Sequence, residues 1–281
     1  GLGGVMLKGF KYYAGLVDSD GYIGLSFNKS TNGKYSVYAI VQISLREDSA
    51  MKVLPYLGEF YKIPLYREEK ELGNPQLNIS FSGKKAIRFL NEIKNHLVIK
   101  NKLSVFVSEI SGNSYFDYEL PVIREKLKEL RADRTASLKP FPSRQWVAGY
   151  VDGDGCLFSD LTSEGYLHIK LCIASHKNDP QGIELISKYY GGVITVRKDG
   201  NYSYVLSVTK SCKLLADVLP HIKIKRTQFD LVKHIIDSGC HLKKNGASRE
   251  SNRMLLTKLK ELKVYQPQRL NETTPEGEAT V

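Results

Sequence analysis

A nine-residue segment occurs twice in this 281-residue chain and constrains its fold more than any other feature. The first copy, residues 13–21, reads YAGLVDSDG, and the second, residues 147–155, reads VAGYVDGDG. The copies begin 134 residues apart, close to half the length of the chain. Because a match of this length at this spacing indicates an internal duplication, we predict two halves with the same fold.

Hydrophobic periodicity predicts one order of elements in both halves: a helix, two strands, a helix, two strands and further helices. The first helix, over 10–18, leads to Gly21, which we expect to adopt a left-handed capping conformation. The Asn32-Gly33 step predicts a hairpin between strands over 22–28 and 34–45. A helix over 47–61 has Met51 at helical spacing on its apolar side. The remaining predictions are helices over 83–97, 100–110, 145–152, 180–190, 210–219 and 225–237, and strands over 62–68, 76–82, 156–161, 166–173, 193–198 and 202–208.

Two further pairs of similar segments occur in the same order along the chain. The segment VIKNK at 98–102 corresponds to KIKR at 223–226, and KLKEL occurs at both 126–130 and 258–262. We therefore predict a first repeat over 7–112, a connector with one helix over 113–143, and a second repeat over 144–265. The polar, aperiodic stretch over 266–281 is predicted to be a disordered tail.

The chain is strongly basic, with 41 Lys and Arg residues against 30 Asp and Glu residues, a formal net charge of +11 and a pI of about 9.3. This balance favours a polyanionic partner, because cationic side chains release the counterions that surround a nucleic acid. No run of about 18 apolar residues occurs, so we expect no membrane span.

The four cysteines, Cys156, Cys172, Cys212 and Cys240, include no CxxC pair and no zinc-finger spacing to histidine. We therefore expect free thiols and an intracellular, reducing compartment. An organelle (mitochondrion or chloroplast) and a prokaryotic cytoplasm both satisfy this expectation.

The duplicated segment places two carboxylates at the end of each predicted helix, Asp18 with Asp20 and Asp152 with Asp154. The C-terminal end of a helix carries partial negative charge, so aspartate is unfavourable there. If the two helices also pack together, their like charges converge. A hard divalent cation bound by carboxylate oxygens is the simplest compensation.

Small residues precede the carboxylates in both copies, Ala14-Gly15 in the first and Ala148-Gly149 in the second. They would let the backbones of two helices approach closely. An EF-hand loop is excluded, because neither copy has an acidic residue at the first or the twelfth ligand position.

With these features the chain resembles a monomeric, two-repeat LAGLIDADG homing endonuclease. The resemblance covers roughly residues 7–265 and rests on the two motifs, the strand alternation, and the segments around Lys100 and Lys225. It implies an α+β fold of two pseudo-symmetric αββαββα repeats. In such a fold the motif helices are packed at the centre and the antiparallel sheets form a DNA-binding saddle.

The resemblance also implies the site residues. Asp20 and Asp154 would bind the catalytic metals, whereas Asp18 and Asp152 would be structural. The catalytic lysines would be Lys100 and Lys225, with Lys102 and Lys223 as alternative registers.

One departure from the family pattern concerns the end of the second strand, where a polar residue often positions water. The corresponding residues here are Leu45 and Ser175. Because leucine cannot hold water, Arg46, Glu47 or an ordered water network would have to replace it. We expect two catalytic sites that are chemically unequal.

The activity implied by the resemblance is site-specific DNA cleavage for intron or gene homing. The enzyme would make a double-strand break at a long asymmetric target by Mg²⁺-dependent phosphodiester hydrolysis. Ca²⁺ would occupy the site without supporting cleavage. The partner would be double-stranded DNA and the protein a monomer. An RNA-splicing maturase that binds intron RNA and a non-catalytic DNA-binding regulator stay as alternatives.

The polar faces of the predicted strands would then follow the major groove. The expected DNA-binding residues of the first half are Ser26, Asn28, Ser36, Tyr38, Gln42, Asn78 and Ser80. Those of the second half are Asp160, Thr162, Tyr166, His168, Lys170, Thr195, Arg197 and Ser203. Because the two sets differ, we predict a non-palindromic target.

Overall fold

A computed structural model describes residues 9–70, 74–133, 142–176, 180–209, 212–239 and 249–262. The predicted repetition of elements is confirmed. The first repeat and the helix after it comprise α1 (Phe10–Asp20), β1 (Gly21–Lys29), β2 (Tyr35–Arg46), α2 (Glu47–Ala50), α3 (Leu54–Tyr61), β3 (Tyr66–Glu68), β4 (Gln76–Ser82), α4 (Gly83–Ile93), α5 (Asn101–Ile110), β5 (Ser114–Tyr115) and α6 (Leu120–Ala132). The second comprises α7 (Arg144–Asp154), β6 (Gly155–Leu161), β7 (Leu167–Ser175), α8 (Gln181–Tyr190), β8 (Val193–Val196), β9 (Tyr202–Ser207), α9 (Cys212–Val218), α10 (Arg226–Asp237) and α11 (Arg249–Glu261).

Each repeat folds its long strands into one antiparallel sheet. The strand order is β1-β2-β4-β3 in the first sheet, where β5 also pairs with β2, and β6-β7-β9-β8 in the second. The register repeats as well, since Gly21 pairs with Ile43 and Gly155 pairs with Ile173. Along β2 and β7 buried residues alternate with partly exposed ones, so each sheet has one core face and one open face.

Helices α1 and α7 pack against each other at the centre, as the small residues predict. A Cβ added at Gly15 would lie 2.0 Å from the carbonyl oxygen of Trp146, and one added at Gly149 would lie 2.0 Å from that of Tyr12. Only glycine permits so close an approach of two backbones. Buried side chains of both repeats form one continuous hydrophobic cluster around this pair.

The helix predicted over 47–61 is instead two short helices, α2 and α3, and the single-helix prediction is wrong. Pro55 lies in the first turn of α3. Its ring has no N–H and would clash with the carbonyl four residues earlier, so the helix cannot run through Met51. Met51, which the single-helix prediction placed on the apolar side, is 58% exposed.

The capping conformation predicted for Gly21 is also wrong. Its backbone is extended, with φ −83° and ψ 150°, and it begins β1 directly. Glycine is required at this position for another reason, because a Cβ there would lie 2.6 Å from the Cα of Val17. The same holds at Gly155, where a Cβ would lie 2.5 Å from the carbonyl oxygen of Val151.

The connector predicted over 113–143 contains α6, whose Ile123 and Leu127 join the hydrophobic core. Residues 134–141 of the connector and the predicted tail over 266–281 lie outside the described residues. Among the helices that are described, none combines the length and the hydropathy needed to cross a membrane.

Candidate active site

Asp20 and Asp154 are the last residues of α1 and α7, and they lie at the same end of the helix pair. Both line one cavity of about 580 Å³. Asp20 also faces the opposite helix, since its Oδ2 would be 3.1 Å from a Cβ added at Gly153. The fold therefore brings the two predicted metal-binding carboxylates to a single cavity.

Asp18 is buried and bound by several donors. Its Oδ2 accepts the backbone N–H of Val98 at 2.7 Å and the indole N–H of Trp146 at 2.8 Å. Its Oδ1 accepts the backbone N–H of Lys100 at 2.8 Å. Burial raises the pKa of Asp18, and these donors act in the opposite direction. The carboxylate ties the chain before α5 to the helix pair, which is a structural role.

Asp152 repeats this arrangement in the second half. Its Oδ2 accepts the hydroxyl of Tyr12 at 2.7 Å and the backbone N–H of Lys223 at 2.8 Å, and its Oδ1 accepts the backbone N–H of Lys225 at 2.9 Å. Tyr12 lies on α1 and Trp146 lies on α7. Each motif helix therefore donates one side-chain hydrogen bond to the buried carboxylate of the other.

The two predicted catalytic lysines bind the carbonyl oxygens at the ends of the motif helices. Lys100 Nζ donates to Val17 O at 2.6 Å and to Gly21 O at 2.7 Å. Lys225 Nζ donates to Val151 O at 3.1 Å and to the carbonyl oxygen of Asp152. A cation at a helix C-terminus is favourable, so these ammonium groups offset part of the negative charge of the helix ends and of the motif aspartates.

The same lysines act on Asp20, one of the two carboxylates predicted to bind metal. Burial raises the pKa of Asp20, and the charges of Lys225 and Lys100 oppose that rise. Burial lowers the pKa of Lys225, and the neighbouring carboxylates of Asp152 and Asp20 oppose that shift. The site is thus a cluster of buried, mutually compensating charges.

The cavities beside the two lysines differ. Lys100 and Ser175 line the first cavity, whereas Lys225 and Leu45 line a second of about 300 Å³, which Asp20 also reaches. Leu45 and Ser175 are equivalent positions, because each lies two residues beyond the strand partner of its motif glycine. One cavity therefore offers a hydroxyl where the other offers an apolar side chain.

Arg46 is the residue next to Leu45 that reaches the second cavity. Its Nε and a terminal nitrogen each donate to Asp48 at 2.6 Å, and both residues line the cavity. Glu47 accepts a hydrogen bond from Arg67 at 3.0 Å and is not among the lining residues. Of the two side chains expected to replace a polar residue at position 45, Arg46 is therefore the better placed.

The donor set fits a divalent cation that is completed by substrate. Across the described parts of the chain, no three His, Cys, Asp or Glu side chains are grouped so as to hold a metal ion. Mg²⁺ is commonly bound through only one or two carboxylates, with waters and substrate phosphates filling the remaining positions. Asp20 and Asp154 meet that requirement.

Most predicted DNA-binding residues of the first half lie on the open face of the first sheet. Asn78 has the register of that face, since it pairs with Ser44, but it is 0% exposed and its Nδ2 donates to Glu68 Oε2 on the adjacent strand β3 at 3.4 Å. A direct base contact by Asn78 is therefore not supported, because its side chain is buried. The residues that are partly or fully exposed are Ser26, Asn28, Ser36, Tyr38, Gln42 and Ser80.

In the second half, the predicted residues divide between the sheet, a turn and the cavity. Thr162 and Tyr166 belong to the turn between β6 and β7, where Thr162 Oγ1 accepts the backbone N–H of Tyr166 at 3.1 Å. Arg197 follows β8 and lines the first cavity. The residues on strands of the second sheet are Asp160, His168, Lys170, Thr195 and Ser203.

Sequence reasoning missed Arg131, the penultimate residue of α6. Its guanidinium lies 4.9 Å from the ring centre of Tyr22, and both residues line the first cavity. Its place in the sequence could have indicated it, because Arg131 directly follows the first copy of the repeated KLKEL segment. It adds a cation from outside the two repeats to the cavity that holds Asp20 and Asp154.

Parts of the chain are similar in sequence to known DNA endonucleases. Residues 147–234 match the model of the LAGLIDADG endonuclease family. A stretch of 99 residues is 32% identical to DNA endonuclease I-CvuI of Chlorella vulgaris, and it covers 32% of this chain and 62% of that protein. The match thus spans less than two thirds of the relative's length.

Solved structures extend the likeness to nearly the whole chain. The meganuclease I-SmaMI bound to uncleavable DNA aligns with a TM-score of 0.65 at 19% identity and covers 90% of this chain and 96% of that one. The meganuclease I-AabMI bound to uncleaved DNA gives 0.62 at 17% identity, with 90% and 98% covered. These findings confirm the resemblance: residues 147–234 match the LAGLIDADG endonuclease family, and the LAGLIDADG meganuclease fold covers 90% of the chain.

Proposed function

We propose that this protein is a site-specific DNA endonuclease of the homing type, which makes a double-strand break at a long asymmetric target by metal-dependent hydrolysis. The observation that carries the proposal is the convergence of Asp20 and Asp154 on one cavity at the end of the helix pair. Open, partly polar sheet faces begin at the same helix ends, at Gly21 and Gly155. Cleavage groups and a surface for duplex DNA are therefore adjacent.

Asp20 and Asp154 would hold Mg²⁺. When bound, such an ion acts as a Lewis acid and lowers the pKa of bound water. The fold also positions the two lysines, because Asp18 and Asp152 accept hydrogen bonds from the backbone N–H groups of Lys100 and Lys225.

The ammonium groups of Lys100 and Lys225 would stabilise negative charge that develops on the phosphate. Because both already donate to backbone carbonyls, they are ordered before DNA binds. The chemistry would thus rely on charges that the fold has already positioned.

The substrate would be asymmetric, because the two halves present different side chains. Leu45 offers the second cavity no hydrogen bond, whereas Ser175 offers the first a hydroxyl. We therefore propose unequal cleavage rates for the two strands. The protein would act as a monomer, since one chain supplies both halves.

The test uses the intact protein with Mg²⁺ and a randomised duplex library, followed by sequencing of cut products. Asp20→Asn and Asp154→Asn should abolish or strongly reduce cleavage while binding persists. Asp237→Asn, at the exposed C-terminal end of α10, is the matched control and should cleave normally. Ca²⁺ in place of Mg²⁺ should permit binding without cleavage. Full cleavage by the Asp20→Asn/Asp154→Asn double variant would refute the assignment.

The same experiment separates the alternatives. A non-catalytic regulator would bind duplex DNA and cut none of it, whichever metal is present. Folded intron RNA added to the same library as a competitor identifies a maturase, which would prefer the RNA to every duplex. The convergence of both carboxylates favours the nuclease over the regulator.

A further inference from the structure

The open face of the second sheet carries a row of four apolar and thiol side chains. Cys156 pairs with Cys172, Cys172 with Val205, and Val205 with Val193, so the four lie side by side across β6, β7, β9 and β8. Neither cysteine is in a disulfide. Val193 is 61% exposed, although apolar side chains gain nothing from contact with water.

Phe158 extends this apolar row toward the far end of the strand. It lies two residues beyond Cys156 on the same face and is 52% exposed. Its strand partner is Lys170, so a cation borders the apolar surface. An exposed aromatic ring beside a lysine on an open sheet face suits a ligand that is both anionic and partly apolar.

The first sheet has hydrogen-bonding side chains at the equivalent positions. Tyr22 pairs with Gln42, and Gln42 with Ser80. The equivalence follows from the motif glycines, each of which precedes the first residue of its row. Gln42 Nε2 donates to the hydroxyl of Tyr66 at 2.8 Å, so this row is ordered by polar contacts. The two sheets therefore differ in chemistry at one matched row.

The row is close to the proposed cleavage site. Cys156 lies two residues beyond Asp154, a distance of about 7 Å at the rise of an extended strand. That distance equals about two base pairs of duplex DNA. Cys156 would therefore face bases near the cut, and the other three residues follow at steps of about 5 Å from strand to strand.

We propose that this row recognises the C5-methyl groups of thymines in one half of the target, an inference that rests on the proposed endonuclease function. In the major groove, an A·T pair presents a methyl group beside its polar atoms, and apolar side chains contact it favourably. Lys170 borders the row and Arg197 lies at the adjacent cavity, which supplies the cations that a duplex requires. The first sheet reads its half-site through hydrogen bonds instead.

The decisive experiment replaces thymine by deoxyuridine, which removes the methyl group and leaves base pairing intact. The intact protein first selects its target from a duplex library in Ca²⁺. Each half-site is then substituted separately near the cut, and affinity is measured. One half-site should lose about fourfold in affinity per methyl group, the value of one buried carbon, and the other should be nearly insensitive.

Two variants assign the effect to the row. Val205→Ser should reduce the sensitivity to deoxyuridine, whereas Ser80→Val, the same position in the first sheet, should create sensitivity in the other half-site. Both side chains are on open faces, and thermal unfolding checks that the fold is retained. Equal sensitivity of both half-sites, or sensitivity unchanged by Val205→Ser, would overturn the inference while leaving the endonuclease intact. Failure to enrich any duplex would overturn both proposals.

Discussion

Replacement of Gly15 by alanine tests the central helix pair most directly. The added Cβ would lie 2.0 Å from the carbonyl oxygen of Trp146, whereas an ordinary contact begins at 3.4 Å, so the helices must separate by about 1.4 Å. Helix propensity alone favours alanine over glycine by about 1 kcal/mol. Overpacking costs about 1–3 kcal/mol and occasionally more, and backbone atoms cannot rotate away. The upper cost of about 3 kcal/mol therefore applies, and we expect Gly15→Ala to destabilise the fold by about 2 kcal/mol net.

Urea unfolding followed by circular dichroism measures this change. The matched control is Gly153→Ala, whose Cβ would meet the hydroxyl of Ser19, a side-chain atom that can rotate. Its cost should be clearly smaller. The Gly15→Ala/Gly149→Ala double variant should cost less than the sum of its parts, because one separation relieves both contacts. A Gly15→Ala protein as stable as the parent, or strictly additive costs, would refute the reasoning.

Three further outcomes are expected. Tyr12→Phe removes a hydrogen bond to the buried carboxylate of Asp152 and should lower the free energy of unfolding by about 1.5–3 kcal/mol; Tyr13→Phe, which loses only a bond to a carbonyl, should cost less in the same urea titration. Lys225→Met should slow single-turnover cleavage by about 100-fold with little change in DNA affinity, and an unchanged rate would contradict its electrostatic role. A nicked intermediate should accumulate on supercoiled plasmid, and Leu45→Gln should shorten its lifetime; simultaneous cleavage of both strands by the parent would contradict unequal sites.

The helix pair and the sheet register could be predicted because their determinants are local and repeated. The motif glycines and the strict alternation along β2 and β7 each specify one face of one element. The break at Pro55 was equally local, and the rule for proline inside a helix would have identified it. A periodic apolar pattern therefore does not establish one continuous helix where a proline interrupts it.

The partners of the buried carboxylates could not be predicted from periodicity. Asp18 is bound by Val98 and Trp146, which lie 80 and 128 residues away along the chain. The side-chain partner of Asn78 has the same origin, since Glu68 lies on a neighbouring short strand. Both results follow from how separate elements pack, and no single segment contains that information.

The hydrogen bonds between the motif helices show that the duplicated halves have diverged in sequence. Tyr12 and Trp146 occupy the same position in the two copies, yet one donates through a phenol and the other through an indole. What the copies share is a donor aimed at the other copy's carboxylate, not a residue type. Since neither half supplies the side-chain donor for its own aspartate, each half depends on the other, and the two halves should unfold as one cooperative unit.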